Sequence, residues 1–450
     1  MKFTTVDGER IVFASGLRTP VGQAGKSLSN MSSTDLGYLV TEEIFKRSGI
    51  SKEEVDGVVA GEISQSYRAP NVARVIAVKA NLPLKSSAIT VANNCVSGTE
   101  ALLDAARRVM IGEGKLYLAL GMETMSQGPF TLENAKNNSK LATVDKIKKS
   151  WANVLEMGVE VIDPVDQGLI DPIRNINMAE TGEIAAQNYK LTKKDLDTYA
   201  YNSYKKAYDA IVAGKYRPYQ VAVPLEDGTK LEDDEYIMSK TGMVENPGRF
   251  DKAGVLFDNK YISLKQFYEN NKNWIRYPYK EGESQAAVTL FNACPRSDGA
   301  GAVFVTTESN AKRLGLKIQA VLKGWGMYGV DPAHMGIGMA HAMKAAVDNA
   351  GIKFEDVDNF EIHEAFAATA MGSFREVKES YGFDLEAANA AGKVNPHGGT
   401  LAMGHPLGAT GIRVLLNQIM AFDNFPEVKT SLNAICAGGG VAGSILLERP

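Results

Sequence analysis

The sequence predicts a layered α/β protein of two similar halves, the first interrupted by an insertion. Three observations carry this. Short β-branched runs alternate with longer helical patterns as far as about Leu120, the same rhythm returns in the last third, and the composition changes between them. Strands separated by helices favour parallel pairing in a sheet covered on its faces. A rhythm met twice in one chain suggests a duplicated unit.

Arg10–Ser15 (RIVFAS) reads as the first strand, followed by an amphipathic helix at Ser33–Ser48 and a strand at Val55–Gly61. Ala88–Ala92 is a third strand and Leu116–Leu120 a fourth, with a helix through Gly98–Gly112 between them. From about Gln127 to Gly282, Lys, Asn, Asp, Glu and Tyr are plentiful and strand signals sparse. There Thr192-Lys193-Lys194-Asp195 places an acid three residues after a capping Thr, opening a helix through Ala213. Such a stretch reads as helices and long loops that shape a binding site on a rigid scaffold. The second half is read as a strand at Ile318–Gly326, a helix at Met335–Ala350, a strand at Val357–Ile362 and helices at Glu364–Lys378 and Ala409–Phe422. Lys429–Ile435 and Gly440–Leu447 close it. The expected division is 1–125 and 286–312 for the first half, 126–285 for the insertion and 313–450 for the second half.

The 450 residues carry 49 Lys+Arg against 53 Asp+Glu, a net charge of −4 that argues against a nucleic-acid partner. No apolar run approaches the roughly 18 residues of a membrane span, so no transmembrane segment is expected. The first ten residues lack a signal-peptide core, and the expected location is the cytoplasm. Three cysteines make no disulfide framework, and the five histidines show no paired zinc spacing. Two phosphate-loop lookalikes fail. Pro20 stands where the first glycine of one pattern is needed, and Gly438-Gly439-Gly440-Val441-Ala442-Gly443 leaves too little chain for the helix and strand its fingerprint must open.

Four residues stand where chemistry is expected. Cys95 falls between a strand and the helix after it, where the helix dipole and free backbone N–H groups favour a thiolate and could hold an oxyanion. The alternative is a buried Cys packing as a small hydrophobe. His363 ends a strand, the place where α/β sheets put their sites. His405 lies in a Gly- and Pro-rich loop, Asn395 to Gly411, that lets another segment or a ligand come close; an ordinary surface turn is the other reading. Cys436 follows a strand and precedes three glycines, which suits a substrate thioester and a second oxyanion donor. Cys294, His334, His341 and His397 read as structural. Two thiols and two histidines at strand ends fit thioester chemistry better than peptide hydrolysis, which has no use for the second thiol.

At these places the sequence resembles the thiolase family. Asn94-Cys95-Val96-Ser97-Gly98 is similar to the acyl-enzyme cysteine motif, and His363-Glu364-Ala365-Phe366-Ala367 to the histidine variant of the Asn-Glu-Ala-Phe box. Gly398-Gly399 through Gly404-His405-Pro406-Leu407-Gly408-Ala409-Thr410-Gly411 resembles the histidine motif, and Cys436-Ala437-Gly438-Gly439-Gly440 the second cysteine motif. Weaker matches run from Arg18 to Gly22, from Met178 to Asp197 and over Asp298-Gly299-Ala300.

The resemblance implies the thiolase fold, two pseudo-twofold-related α/β halves with a loop domain inserted in the first. It implies an acetyl-CoA acyltransferase that cleaves 3-oxoacyl-CoA with CoA, or runs the reverse Claisen condensation. Cys95 would carry the acyl group, His405 would take its proton, and Cys436 would move the proton at the α-carbon. His363 and His405 would line one oxyanion hole, and the backbone N–H groups of Cys95 and Gly438 the other. Met178 matches a loop-domain methionine near the acyl pocket. No cofactor is implied, since CoA is a substrate. Family members are homodimers or homotetramers, with the dimer built from the N-terminal halves. The His363 variant is associated with β-oxidation thiolases that work beside a hydratase–dehydrogenase subunit. Residues from about Met238 to Ala287 depart from the usual loop-domain pattern and leave chain-length preference open. Two other readings are a decarboxylating condensing enzyme, which would lack Cys436, and a non-catalytic acyl-CoA or lipid-binding scaffold, which would have lost a thiol.

Overall fold

In the computed structural model, which describes residues 3–138 and 140–450, one mixed sheet runs through the molecule. Its strands are β1 (Ile11–Arg18), β2 (Gly57–Gly61), β3 (Ser87–Val91), β4 (Leu116–Thr124), β5 (Ser297–Thr307), β6 (Ile318–Gly329), β7 (Asn359–Ile362), β8 (Thr430–Ala437) and β9 (Val441–Glu448). The spatial order is β7-β8-β9-β6-β1-β5-β4-β2-β3, and the two-residue strand Gly22–Gln23 pairs off this path with β5. Parallel pairing, expected throughout, holds only for β2 with β3 and β4 and for β7 with β8. The other pairs are antiparallel. β8 and β9 are joined by three residues, too few for a parallel crossover. β5 re-enters the sheet after the insertion and runs against both β4 and β1.

The order of pairing repeats. In the first half β2 is parallel to β4, β4 antiparallel to β5 and β5 antiparallel to β1. In the second half β7 is parallel to β8, β8 antiparallel to β9 and β9 antiparallel to β6. The counterpart of β3 is reduced to a single parallel bridge, Phe360 to Val394. The two halves meet where β1 pairs antiparallel with β6.

Helices cover the sheet: α1 (Ser33–Ser48), α2 (Val72–Lys79), α3 (Ser97–Met110), α4 (Met178–Asn188), α5 (Lys193–Val212), α6 (Gly338–Ala350), α7 (Ala367–Tyr381) and α8 (Thr410–Asn424). The α3 face of Leu102, Leu103, Ala105, Ala106 and Val109 is buried, and each such Leu contributes about 1.5–3 kcal/mol. The start of α8 touches the start of α3 backbone to backbone. A Cβ on Gly411 would lie 2.1 Å from the Thr99 nitrogen, and one on Gly98 would lie 2.6 Å from the Gly408 oxygen. Only glycine permits this approach, which brings the His405 loop to the Cys95 turn. Between β4 and β5 the chain leaves the sheet and supplies α4, α5 and long loops. Thr192 and Asp195 form the expected reciprocal cap on α5. No helix among the described residues is long and apolar enough to cross a membrane.

Candidate active site

Cys95 stands on a tight turn between β3 and α3. Asn94 takes a left-handed φ of 46°, which asparagine tolerates better than most residues. Ser97 locks the turn: its Oγ accepts the Asn93 N–H at 2.8 Å and donates to the Asn94 carbonyl at 2.7 Å. Asn94 Nδ2 in turn donates to the Gly438 carbonyl at 2.8 Å, tying this turn to the glycines after β8. Cys95 packs against a small cluster that includes Leu407, two residues beyond His405, and against another that includes Ile435 and Ala437, which flank Cys436.

His363 directly follows β7 and is fully buried. Its N–H donates to the Ala434 carbonyl at 2.8 Å, so it lies beside β8, two residues short of Cys436. The helix expected from Glu364 begins only at Ala367, because the Glu364 carboxylate turns inward. It accepts from Tyr199 at 3.1 Å, Ser203 at 2.7 Å, Asn395 at 2.7 Å and the Leu401 N–H at 3.2 Å. One buried side chain thus ties the His363 segment to α5 and to the loop that carries His405.

The His405 N–H donates to the Pro295 carbonyl and to Ser297 Oγ, each at 3.2 Å. Its ring lies 4.3 Å, centroid to centroid, from that of His363, at 51°. His405 Nδ1 is 2.7 Å from Thr410 Oγ1 and His363 Nδ1 is 3.1 Å from Thr400 Oγ1. Neither Nε2 has a protein partner among the described residues. The other three histidines lie elsewhere: His334 against the Trp274 carbonyl, His341 against Tyr381, and His397 against Phe425.

Cys436 lies within β8, one residue before its end, and is 1 % exposed. Gly438 to Gly440 turn the chain into β9. Gly440, at φ 77°, is required, since a Cβ there would meet the Val330 carbonyl at 2.2 Å. The backbone N–H groups of Gly438 and of Cys95 itself pull the Cys95 thiol down. Met178 opens α4 with its sulfur 3.3 Å from where a Gly438 Cβ would sit. Beside it a cavity of about 440 Å³ is lined by Asn94, Met178, Gly438 and Gly439 and by Thr131, Ile162, Ile170 and Ile173 of the inserted segment.

Burial sets the electrostatics. Desolvation pushes the thiol of the half-buried Cys95 up to about 12, against the pull of the Gly438 and Cys95 N–H groups and with a further push from the Glu123 carboxylate. The expected dominance of the helix start is therefore reversed: desolvation outweighs the N–H groups at the start of α3. Cys436 is raised as well, by burial first and by Cys95 second. His405 is held down to about 3 by burial and then by the Arg413 charge, and His363 lies well below its ordinary value through burial, His405 and Arg413. At neutral pH both thiols are protonated and both imidazoles neutral. A thiolate here needs a proton acceptor at the moment it forms.

Cys294, read as structural, belongs to this neighbourhood. Its N–H donates to the Ala365 carbonyl, two residues past His363, while the next carbonyl, that of Pro295, accepts from His405. Burial raises its thiol to about 12, with Cys95 the next contributor. Nothing in its local sequence marked this, because its neighbours come from two distant loops. Thr400, Thr410 and Arg413 also belong here. In sequence the two threonines are ordinary members of the glycine-rich segment, and Arg413 reads as one more polar residue of α8.

Comparison with known proteins adds to this geometry. Residues 11–254 match the family described as Thiolase, N-terminal domain, and residues 316–449 the family described as Thiolase, C-terminal domain. A probable acetyl-CoA acyltransferase of Staphylococcus aureus (strain COL) is 31% identical over 442 residues, 98% of this chain and 99% of that protein. The fold is similar to that of human mitochondrial 3-ketoacyl-CoA thiolase in complex with CoA (TM-score 0.81, 25% identity, 98% of each chain). It is also similar to the Bacillus anthracis acetyl-CoA acetyltransferase (TM-score 0.82, 26% identity, 98% of this chain and 99% of that one).

Proposed function

Since the chain belongs to the thiolase family, we propose that it is an acyltransferase that cleaves 3-oxoacyl-CoA with CoA, or runs the reverse condensation, through an acyl group carried on Cys95. The convergence of two thiols, Cys95 and Cys436, with two histidines supports this reading most directly: His363 follows β7, whereas His405 comes from a loop between two short helical segments and not, as expected, from a strand end. His405 Nε2 takes the Cys95 thiol proton as the sulfur attacks the 3-oxo carbon. The N–H groups of Cys95 and Gly438 receive the oxyanion. The C2–C3 bond breaks, and the acetyl-CoA enolate, held at its thioester oxygen by the Nε2 groups of His363 and His405, takes the Cys436 proton. The Cys436 thiolate then accepts the thiol proton of incoming CoA. The CoA sulfur attacks the acyl carbon, the bond to Cys95 breaks, and Cys95 recovers its proton from His405. The sum is 3-oxoacyl-CoA plus CoA giving the shortened acyl-CoA plus acetyl-CoA, and such a sequence is ping-pong. Met178 and the cavity beside it border the acyl group.

The reading is tested by CoA-dependent loss of 3-oxoacyl-CoA absorbance across acetoacetyl-CoA and a longer-chain series. No cleavage of any member would sink it. Cys436→Ser should retain acylation of Cys95 from an acyl-CoA, while cleavage falls by about 10²–10⁴-fold because the enolate loses its proton donor. Full cleavage by this variant would remove Cys436 from the route.

The proposed setting is cytoplasmic, as a homodimer or homotetramer, with a hydratase–dehydrogenase subunit as partner. The edge strand β3 supports a dimer built on the first half: its outer side is unpaired among the described residues, and Ile89 is 40% exposed. Sedimentation should give at least a dimer, reduced to a monomer by Ile89→Lys; a wild-type monomer would contradict this.

A further inference from the structure

His363 and His405 are chemically alike, buried alike and in ring contact, yet the proposed route asks opposite things of their Nε2 atoms. We infer that two threonines, Thr400 and Thr410, hold the two imidazoles in opposite tautomers, Nε2–H on His363 and Nδ1–H on His405. This deepens the function proposed above and rests on it.

The polarity of each hydrogen-bond chain carries the assignment. Arginine donates and cannot accept. Arg413, 2 % exposed, donates from Nη2 to Thr400 Oγ1 at 2.6 Å, its one side-chain hydrogen bond among the described residues. The Thr400 hydroxyl proton is then free, and its remaining partner is His363 Nδ1 at 3.1 Å. Donating there places the imidazole proton on Nε2, the atom that has no protein partner and is left to donate to a developing enolate oxygen. The opposite tautomer would leave a buried hydroxyl proton unpaired, at a cost of about 1–3 kcal/mol.

Thr410 runs the other way. Its hydroxyl donates back to the Pro406 carbonyl, one helical turn earlier, at 3.0 Å. Its oxygen therefore accepts from His405 Nδ1 at 2.7 Å. The proton sits on Nδ1, and Nε2 presents a lone pair, the form that can take a proton from Cys95. Once Nε2 is protonated, the Nδ1–H to Thr410 to Pro406 chain supports the imidazolium without rearranging. Thr400, Thr410 and Arg413 are positioning residues, acting through the histidines and not on substrate.

The two halves of the reaction separate this from a structural role. Acylation of Cys95 by an acyl-CoA uses His405 and the backbone N–H pair, whereas carbon–carbon cleavage also needs the His363 donor. Thr400→Val should therefore cut 3-oxoacyl-CoA cleavage by about 10²–10³-fold, with the KM for CoA within about threefold of wild type. Exchange of labelled CoA into an acyl-CoA should stay within about threefold, and Thr400→Ser should restore cleavage. A Val variant that keeps full cleavage, or loses cleavage and exchange equally, overturns the assignment. In the unmodified protein, labelled with ¹⁵N-histidine, the imidazole shifts should report Nε2–H for His363 and Nδ1–H for His405. One common tautomer also overturns it, even where the Val variant fails to fold. A wild-type protein that never acylates Cys95 would instead defeat the parent reading, leaving the tautomers to the ¹⁵N shifts.

Discussion

Cys95→Ser is expected to lower 3-oxoacyl-CoA cleavage by at least about 10⁴-fold while leaving the fold intact. The substitution is nearly isosteric, and the turn that holds residue 95 is built by Asn94 and Ser97, which it does not touch. What changes is the proton. Burial already pushes the Cys95 thiol up to about 12, and the nearby imidazole is held down to about 3, so attack depends on the intrinsic nucleophilicity of sulfur as its proton leaves. A serine hydroxyl is a weaker acid still and offers no such compensation. Steady-state turnover, with thermal unfolding as the control, checks this. Turnover within tenfold of wild type would take Cys95 out of the role proposed for it.

His405→Ala has the second-largest expected effect, a loss of about 10³-fold in turnover. A separate readout shows why. With His405 gone, alkylation of Cys95 by iodoacetamide should be slow at pH 7 and rise about tenfold per pH unit toward pH 10, because the thiolate then appears only as pH nears the thiol's value of about 12. In the wild type His405 accepts the proton, so the reaction should be faster at pH 7 and its pH dependence shallower. The direction on the acid side follows from the histidine. Its folded value of about 3 lies below the ordinary 6.5, so it stays a base through pH 5 and is lost to protonation only as pH approaches 3. Peptide-resolved alkylation rates at Cys95 measure this, and identical profiles for the two proteins would contradict the pairing.

Much of the arrangement was legible because it depends on local chemistry. Cys95, His363 and Cys436 each sit at the end of an apolar run beside a helix start or a glycine turn, and strand ends in an α/β layer converge on one side of the sheet. The Thr192–Asp195 cap was readable because both partners lie within one helical turn. Strand direction was not. Whether β5 runs with or against β1 depends on residues about 290 positions apart, such as Ile11 and Thr307, which no local pattern links. The start of β5, Ser297-Asp298-Gly299, has no β-branched residue to mark it as strand. The place of Cys294 is hidden for the same reason as strand direction: Ala365, which accepts its N–H, and His405, which bonds to the adjacent Pro295 carbonyl, reach it through the folded chain. The ionisation of Cys95 departs from the expectation because a helix start is visible in sequence and desolvation by distant segments is not.

The central claim is that Cys95 carries the acyl group. The most direct measurement is mass mapping of the protein after brief incubation with a 3-oxoacyl-CoA in the absence of free CoA. The account requires a mass gain equal to the shortened acyl group, located on the peptide containing Cys95 and removed on adding CoA with release of the acyl-CoA. An acyl group on Cys294 or Cys436 instead, or cleavage with no covalent adduct at any time, would contradict it.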